Sequence, residues 1–179
     1  ADLSLAWAGF GVFLTFNNEG TVRKSTGAGG ASLVTFLNNA NIITCQNGIL
    51  SLDGGGSNSG TLNANATCIL SFGGGTMTLL EGSNFTGAGL HRINGGALNV
   101  AELVQINTAF ELAPEGTLDG TNTAIFTGTF TWSGGTMDSS AGGGKTVFTN
   151  SAGVSINTGN QKLLYRRVVD NYTTVNWSG

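Results

Sequence analysis

The sequence has few charged residues, almost no proline and no long apolar run. Charged residues make up 9% of the 179 positions and the formal net charge is −3, whereas a typical soluble domain is about 25% charged. This balance argues against nucleic-acid binding, which depends on neutralising phosphates with Lys and Arg. A single Pro and irregular Gly spacing exclude collagen. No window approaches the roughly 18 apolar residues of a membrane-spanning helix.

Glycine, by contrast, is abundant, and so are Thr and Asn. The chain has 30 Gly, and hydrophobic residues make up 40% of it. A disordered linker has too little apolar surface to bury, so a hydrophobic content this high indicates a folded chain. We therefore expect a β-rich protein with many turns.

Short segments in which apolar and polar residues alternate follow glycines along most of the chain. The clearest cover residues 48–52, 75–79, 89–93, 96–100 and 128–132. Such alternation is typical of a strand with one buried face. The step from Gly75 to Gly96 is three times the step from Gly89 to Gly96. Three equal steps predict one all-β domain over residues 1–179, a parallel β-solenoid of about 8 coils of roughly 21 residues with three short strands each.

In this arrangement the apolar side chains line the interior of the coil, here called the bore, and Thr, Ser and Asn form ladders outside. The expected lining residues are Leu50, Leu52, Leu70, Phe72, Leu79, Ile93, Leu98, Val100, Phe130 and Trp132. An antiparallel sandwich is the alternative, because Asn47-Gly48 and Asn94-Gly95 are also typical of hairpin turns.

Cys45 and Cys68 are the only two cysteines. Their separation along the sequence is close to the length of one coil, so we expect them on adjacent coils within reach of a disulfide. A disulfide is predicted if the protein is secreted, and two buried free thiols if it is not. No partner at zinc-binding spacing lies near either cysteine.

Several segments carry a family resemblance. Asn17-Asn-Glu-Gly-Thr-Val22 is similar to repeats in very long secreted bacterial proteins. Gly75-Thr-Met-Thr-Leu79, Asn84-Phe-Thr-Gly87 and Gly95-Gly-Ala-Leu-Asn-Val100 resemble the glycine-rich repeats of bacterial autotransporter passengers and filamentous adhesins. The resemblance implies a right-handed parallel β-helix, secreted or at the bacterial cell surface, that serves as a stalk, adhesin or fibre. It implies no catalytic residue and no cofactor, because the shared motif is structural.

Few residues are typical of catalysis. His91 is the only histidine, and its position in the segment Leu90-His-Arg-Ile93 predicts an outward-facing strand residue. Asp119 and Asp138 are separated by nearly one coil length and could stack on neighbouring coils, as in polysaccharide-active β-helix enzymes, but both end ordinary short strands. We therefore expect no enzyme, with a polysaccharide-active enzyme as a lesser alternative.

Two other clusters have an ordinary interpretation and a functional one. Lys162, Arg166 and Arg167 favour a solvated strand edge over an anion-binding site. Thr-x-Thr pairs favour plain strand formation over an ice-binding array. These pairs are Thr76/Thr78, Thr121/Thr123 and Thr127/Thr129/Thr131.

The two ends of the sequence carry similar motifs, Trp7-Ala-Gly9 and Trp177-Ser-Gly179, without a polar cap. An uncapped solenoid exposes strand edges. We therefore expect either a segment of a longer array or a subunit that stacks on copies of itself. The favoured expectation is an extracellular structural protein that binds copies of itself head to tail as a fibre or stalk, through Leu3, Leu5, Trp7, Val175 and Trp177. An adhesin, in which an outer face binds a glycan or host ligand, is the alternative.

Overall fold

Strands of three to five residues follow one another around a three-sided coil. The structure, a computed structural model, describes residues 3–5 and 14–178. Every strand of this part pairs in parallel with an equivalent strand on an adjacent coil. The three sides are called face 1, face 2 and face 3, and strands are numbered in chain order.

Face 1 is one nine-stranded sheet. Its strands are β1 (Leu3–Leu5), β4 (Gly30–Leu33), β7 (Gly48–Leu52), β10 (Cys68–Phe72), β13 (Leu90–Ile93), β16 (Ala109–Leu112), β19 (Phe130–Trp132), β22 (Val154–Ile156) and β25 (Val175–Trp177). Face 2 is one eight-stranded sheet. Its strands are β2 (Thr15–Asn18), β5 (Phe36–Asn39), β8 (Gly56–Asn58), β11 (Thr76–Leu79), β14 (Ala97–Val100), β17 (Thr117–Asp119), β20 (Gly135–Met137) and β23 (Lys162–Leu164).

Face 3 is divided into two four-stranded sheets. The first contains β3 (Thr21–Lys24), β6 (Ile42–Cys45), β9 (Thr61–Ala64) and β12 (Asn84–Thr86). The second contains β15 (Val104–Ile106), β18 (Thr123–Phe126), β21 (Lys145–Phe148) and β24 (Val168–Asn171). Strands β12 and β15 are neighbours in the stack but belong to different sheets, so the hydrogen-bonded ladder of face 3 is interrupted between the fourth and fifth coils.

The predicted solenoid is confirmed: about eight coils of roughly 21 residues, each with three strands and no helix among the described residues. The antiparallel alternative is wrong, because the turns connect successive faces of a coil rather than adjacent strands of one sheet. The strand pairing therefore crosses from coil to coil, which explains why equivalent residues recur one coil length apart along the sequence.

The bore is filled as the alternation predicts. Of the ten expected lining residues, all are buried except Trp132, which is partly buried and packs against the core. Phenylalanines Phe72, Phe85, Phe110, Phe126, Phe130 and Phe148 form a continuous chain of ring contacts along the bore, with centroids 4.7 to 6.4 Å apart. Rings at this spacing gain energy beyond their buried area, so the aromatic chain binds the middle coils to one another.

The expectation that asparagine lies only outside the coil is wrong for one column. Asn18, Asn39 and Asn58 point inward and are buried, whereas the preceding Asn17 and Asn38 point outward. The inner side chains bond from coil to coil, with Asn18 Nδ2 2.6 Å from Asn39 Oδ1 and Asn39 Nδ2 2.6 Å from Asn58 Oδ1. Stacking satisfies these buried amides because each donates to the next.

Gly56 illustrates how closely the coils approach. Its φ is 133°, and a Cβ at this position would overlap the backbone carbonyl of Leu37 on the preceding coil. A side chain is therefore excluded both by conformation and by space. Gly20, at an exposed corner, has an ordinary φ and nothing within 4 Å of its would-be Cβ.

The substitution Gly56→Ala should lower the free energy of unfolding by about 3 kcal/mol or more, because backbone must move on two coils. Gly20→Ala is the matched control and should change stability by less than about 0.5 kcal/mol. Chemical denaturation followed by circular dichroism measures both. Equal stability of the two variants would contradict the close packing at Gly56.

Candidate assembly surfaces and buried polar sites

At the C-terminal end, three strands lie at the edge of their sheets. Strand β25 ends face 1, β23 ends face 2 and β24 ends face 3. Leu164 and Trp177 continue inner columns of the bore, since they lie in register with Met137 and Ile156, yet they are 51% and 77% exposed. Val175 is partly buried against the core. This end therefore exposes both backbone hydrogen-bonding groups and apolar side chains.

At the opposite end, β1, β2 and β3 are the edge strands among those that the structure describes. Leu5 is 48% exposed, and Phe16 and Val22 are partly buried against the core. Leu3 lies in register with Ala31, and Trp7 lies outside the described residues. The residue of β1 in line with Trp177 is Leu5.

The structure joins Cys45 and Cys68 in a disulfide, with Cα atoms 5.9 Å apart. Their spacing of about one coil suggested equivalent positions on adjacent coils. The structure instead places the two residues on different faces. Cys45 ends β6 on face 3 and lies in register with Ala64, whereas Cys68 begins β10 on face 1 and lies in register with Gly48. The bridge therefore crosses the corner between faces 3 and 1.

His91 faces inward, so the prediction of an outward-facing side chain is wrong. Its place in the ladder lies between Leu70 and Phe110, in an inner column of face 1, and it is 0% exposed. The segment's own pattern is misleading because Leu90 and Ile93 are both apolar but lie on opposite sides of the strand. The pairing register, rather than this local pattern, decides the orientation.

Both ring nitrogens of His91 have partners. Nε2 lies 3.1 Å from the Leu62 carbonyl oxygen, and Nδ1 lies 3.1 Å from the Thr108 hydroxyl oxygen. Because a carbonyl only accepts, Nε2 carries the proton and Nδ1 accepts from Thr108. Burial lowers the pKa of His91 to about 4, although backbone hydrogen bonds with Leu62 and Ala109 act in the opposite direction. The ring is therefore neutral at physiological pH and links three coils beside the interruption of face 3.

Arg167 is buried, which corrects the expectation that it belongs to a solvated strand edge. Its guanidinium donates five hydrogen bonds to coils beneath it. The acceptors are the Thr146 hydroxyl and the backbone carbonyls of Gly120, Asn122, Asp138 and Lys145, at 2.8 to 3.3 Å. Burial lowers the pKa of Arg167 to about 10, with Asp119 acting in the opposite direction, so the side chain stays charged at neutral pH.

Lys162 and Arg166 differ from Arg167. Lys162 bonds to carbonyls of its own loop, at Thr158 and Asn160. Arg166 is exposed and forms an ion pair with Asp138, with Nη2 2.8 Å from Oδ2. The three basic residues therefore do not converge on a common anion site.

Asp119 and Asp138 lie at successive positions of one outer column, as their spacing predicted. The carboxylate of Asp119 accepts hydrogen bonds from the Gly120 amide and from the amide and hydroxyl of Ser140. Burial would raise the pKa of Asp119, but these hydrogen bonds and the charge of Arg167 outweigh it and lower the pKa. Asp119 thus stays ionised, whereas the general acid of a glycosidase needs a raised pKa.

The Thr-x-Thr pairs occupy different parts of the coil. Thr76 and Thr78 are on face 2, Thr123 begins β18 on face 3, and Thr131 is in β19 on face 1. The described Thr-x-Thr pairs therefore do not form one flat array.

Within residues 3–5 and 14–178, no group of three or more His, Cys, Asp or Glu side chains is placed to hold a metal ion. In the same part of the chain, no helix is long and apolar enough to cross a membrane. The chain matches no protein-family model, no curated protein and no solved structure. Its function must be inferred from the geometry of its own coils.

Reduction of the disulfide should destabilise the protein. Closing the loop between residues 45 and 68 restricts the unfolded chain, so the Cys45→Ala/Cys68→Ala variant should lose roughly 3 kcal/mol of unfolding free energy. Thiol labelling of the denatured protein with and without reductant measures the bonding directly. Two reactive thiols without reductant would show that the cysteines are free.

The protonation of His91 should make the fold sensitive to acid. The unfolded histidine titrates near pH 6.5 and the buried one near pH 4, so the unfolded state binds more protons between these values. The stabilisation is complete above about pH 6.5 and is lost as the pH falls to about 4, a change of about 3 kcal/mol.

The variant His91→Gln keeps hydrogen-bonding groups but does not titrate in this range. Subtracting its unfolding free energies from those of the wild type, measured from pH 7 to 4, isolates the contribution of His91. Parallel stability curves for the two proteins would contradict a buried neutral histidine.

Proposed function

We propose that this protein is an extracellular structural element whose coils stack head to tail, one copy on the next, to form a fibre or cell-surface stalk. The observation that carries this proposal is the C-terminal end. There, three strands lie at the edge of their sheets, and Trp177, which continues an inner column of the bore, is 77% exposed. Among the described residues, no coil covers them. An exposed strand edge with apolar side chains is a template for pairing with another chain.

The first coil of a second copy has the pattern needed to continue the last one. Placed on the C-terminal end, its β2 and β3 lie over β23 and β24 of the first copy. Two pairs of apolar inner residues then meet, with Phe16 over Leu164 and Val22 over Val169. In the neighbouring inner column of face 3, Lys24 lies over Asn171. Because this contact joins two different surfaces and does not close on itself, repetition produces a filament.

Face 1 determines how the two copies join. It has nine strands, whereas faces 2 and 3 have eight each, so in a continuous stack β25 of one copy and β1 of the next have the same place. Both strands have the order apolar, polar, apolar, as Val175-Asn-Trp177 and Leu3-Ser-Leu5. In the junction β25 therefore replaces β1 and pairs with β4 of the next copy, a form of strand exchange that places Trp177 over Leu33.

An extracellular location is proposed from the Cys45–Cys68 disulfide, because disulfides persist in oxidising compartments and are rare in the cytosol. The bacterial surface is proposed from the resemblance of the glycine-rich repeats. A solenoid is suited to a stalk because each coil adds length by the same backbone pairing.

The substitution Trp177→Lys tests the proposal. It places a charge where the junction would be buried, so it should raise the concentration needed for assembly at least about tenfold. The matched control is Leu103→Lys. Leu103 is 63% exposed on the side of the solenoid and far from either end, so this change should have no effect on assembly.

Sedimentation across a concentration series, with negative-stain microscopy of the pellets, measures assembly. The wild type should form uniform unbranched fibres that lengthen with concentration. Monodisperse monomers of the wild type at high concentration would overturn the proposal, and so would equal effects of the two substitutions.

A further inference from the structure

The outer charges of the first coil lie at the corner between faces 2 and 3 and on the strand after it. Glu19 lies two residues before the start of β3, and Arg23 is the third residue of β3. Both side chains are exposed. Neither forms an ion pair among the described residues, and both lie on the first described coil.

The last coil carries the opposite charges at the corresponding corner and strand. Arg166 lies two residues before the start of β24, and Asp170 is the third residue of β24. The two charges therefore have the same spacing on both coils, with the signs reversed. Strands β3 and β24 also have equal lengths, and the second residue of each, Val22 and Val169, packs against the core.

Placing Val22 of one copy over Val169 of another puts Arg23 directly over Asp170. Glu19 and Arg166 then lie at the same corner, between faces 2 and 3, which has two residues on the first coil and three on the last. A shift by one residue would turn the apolar side chains outward. A shift by two would place Arg23 over Val168 or Tyr172 and leave both charges of the last coil unmatched. One register therefore places Val22 over Val169 and Arg23 over Asp170 together.

Arg166 and Asp170 each already form an ion pair with the coil beneath them. Arg166 bonds to Asp138 at 2.8 Å, and Lys145 Nζ lies 2.9 Å from Asp170 Oδ2. The side chains of Arg166 and Asp170 remain 60% and 32% exposed. An added coil would extend two alternating ladders, one of Asp138, Arg166 and Glu19, and the other of Lys145, Asp170 and Arg23.

We propose that these crossed charge pairs, Glu19 with Arg166 and Arg23 with Asp170 of a second copy of this chain, set the register and direction of the junction between copies. This inference rests on the proposed head-to-tail stacking and names the contacts that specify it. Opposite charges on facing strands add modest energy, but like charges in the same place repel. Their main contribution is therefore to exclude misaligned or inverted partners.

A charge-reversal series tests the junction. The substitution Arg23→Glu places a like charge opposite Asp170 of the neighbouring copy. It should therefore raise the critical concentration for assembly about tenfold. Lys145→Asp/Asp170→Lys inverts the ion pair within the chain and should impair assembly by a similar factor, because the new surface meets an unchanged Arg23. The triple variant, Arg23→Glu with Lys145→Asp/Asp170→Lys, restores opposite charges and should recover assembly.

Mixing two of the variants tests the complementarity of the charges directly. Equimolar Arg23→Glu and Lys145→Asp/Asp170→Lys should assemble together near the wild-type critical concentration, because each end of one finds a complementary end on the other. Each protein alone should need a concentration about tenfold higher. The control Arg92→Glu/Glu111→Arg inverts the ion pair on the side of face 1, where Arg92 Nε lies 2.7 Å from Glu111 Oε2. It should assemble as the wild type does. Unchanged thermal melting of the variants shows that they fold.

Assembly of every charge variant at the wild-type critical concentration would overturn this inference but leave head-to-tail stacking intact. Failure of the wild type itself to assemble would overturn the stacking and the inference with it. Recovery in the triple variant and in the mixture, together with weaker discrimination at high salt, is the expected result.

Discussion

The structure depends on the parallel pairing of each strand with the equivalent strand of the next coil. This pairing satisfies the backbone, stacks like side chains in columns and sets a distance between coils that the side chains must accept. At Gly56 the coils lie so close together that no Cβ fits against the backbone of the coil before it. At the C-terminal end the pairing is incomplete, because among the described residues strands β23, β24 and β25 have a neighbour on one side only.

The same constraint explains how polar groups are tolerated inside. The asparagine column from Asn18 to Asn58 is satisfied because identical amides lie one coil apart. Arg167 is tolerated because all its donors meet oxygen atoms, most of them backbone carbonyls at the corner of three coils. His91 is tolerated as a neutral ring that bonds to Leu62 and Thr108. A buried polar group without such partners would cost several kcal/mol, so these residues depend on the stack around them.

Much of the fold could be predicted because a repeat displays its period in the sequence. Glycines at steps of one third of a coil and of one whole coil indicate three strands per coil, and the alternation in segments such as 48–52 and 75–79 identifies the lining residues of the bore. The buried polar sites are harder to predict from the sequence. His91 lies between two apolar residues that face opposite ways, and Arg167 follows a basic residue that is exposed. Their local patterns are ambiguous, because only the register with other coils shows which side chain points inward.

The solenoid, its period and most of its core follow from the amino-acid order alone, because those properties depend on short-range alternation and on glycine. Positions that depend on neighbours from other coils are set only when the chain is folded. Folding places the cysteine bridge across a corner, interrupts face 3 between β12 and β15, and turns Arg167 inward while Arg166 stays outside. It also brings Glu19 and Arg23 to one end and Arg166 and Asp170 to the other at matching places. The physical reason is that stacking register is a long-range property, set by the sum of all pairings rather than by any one segment.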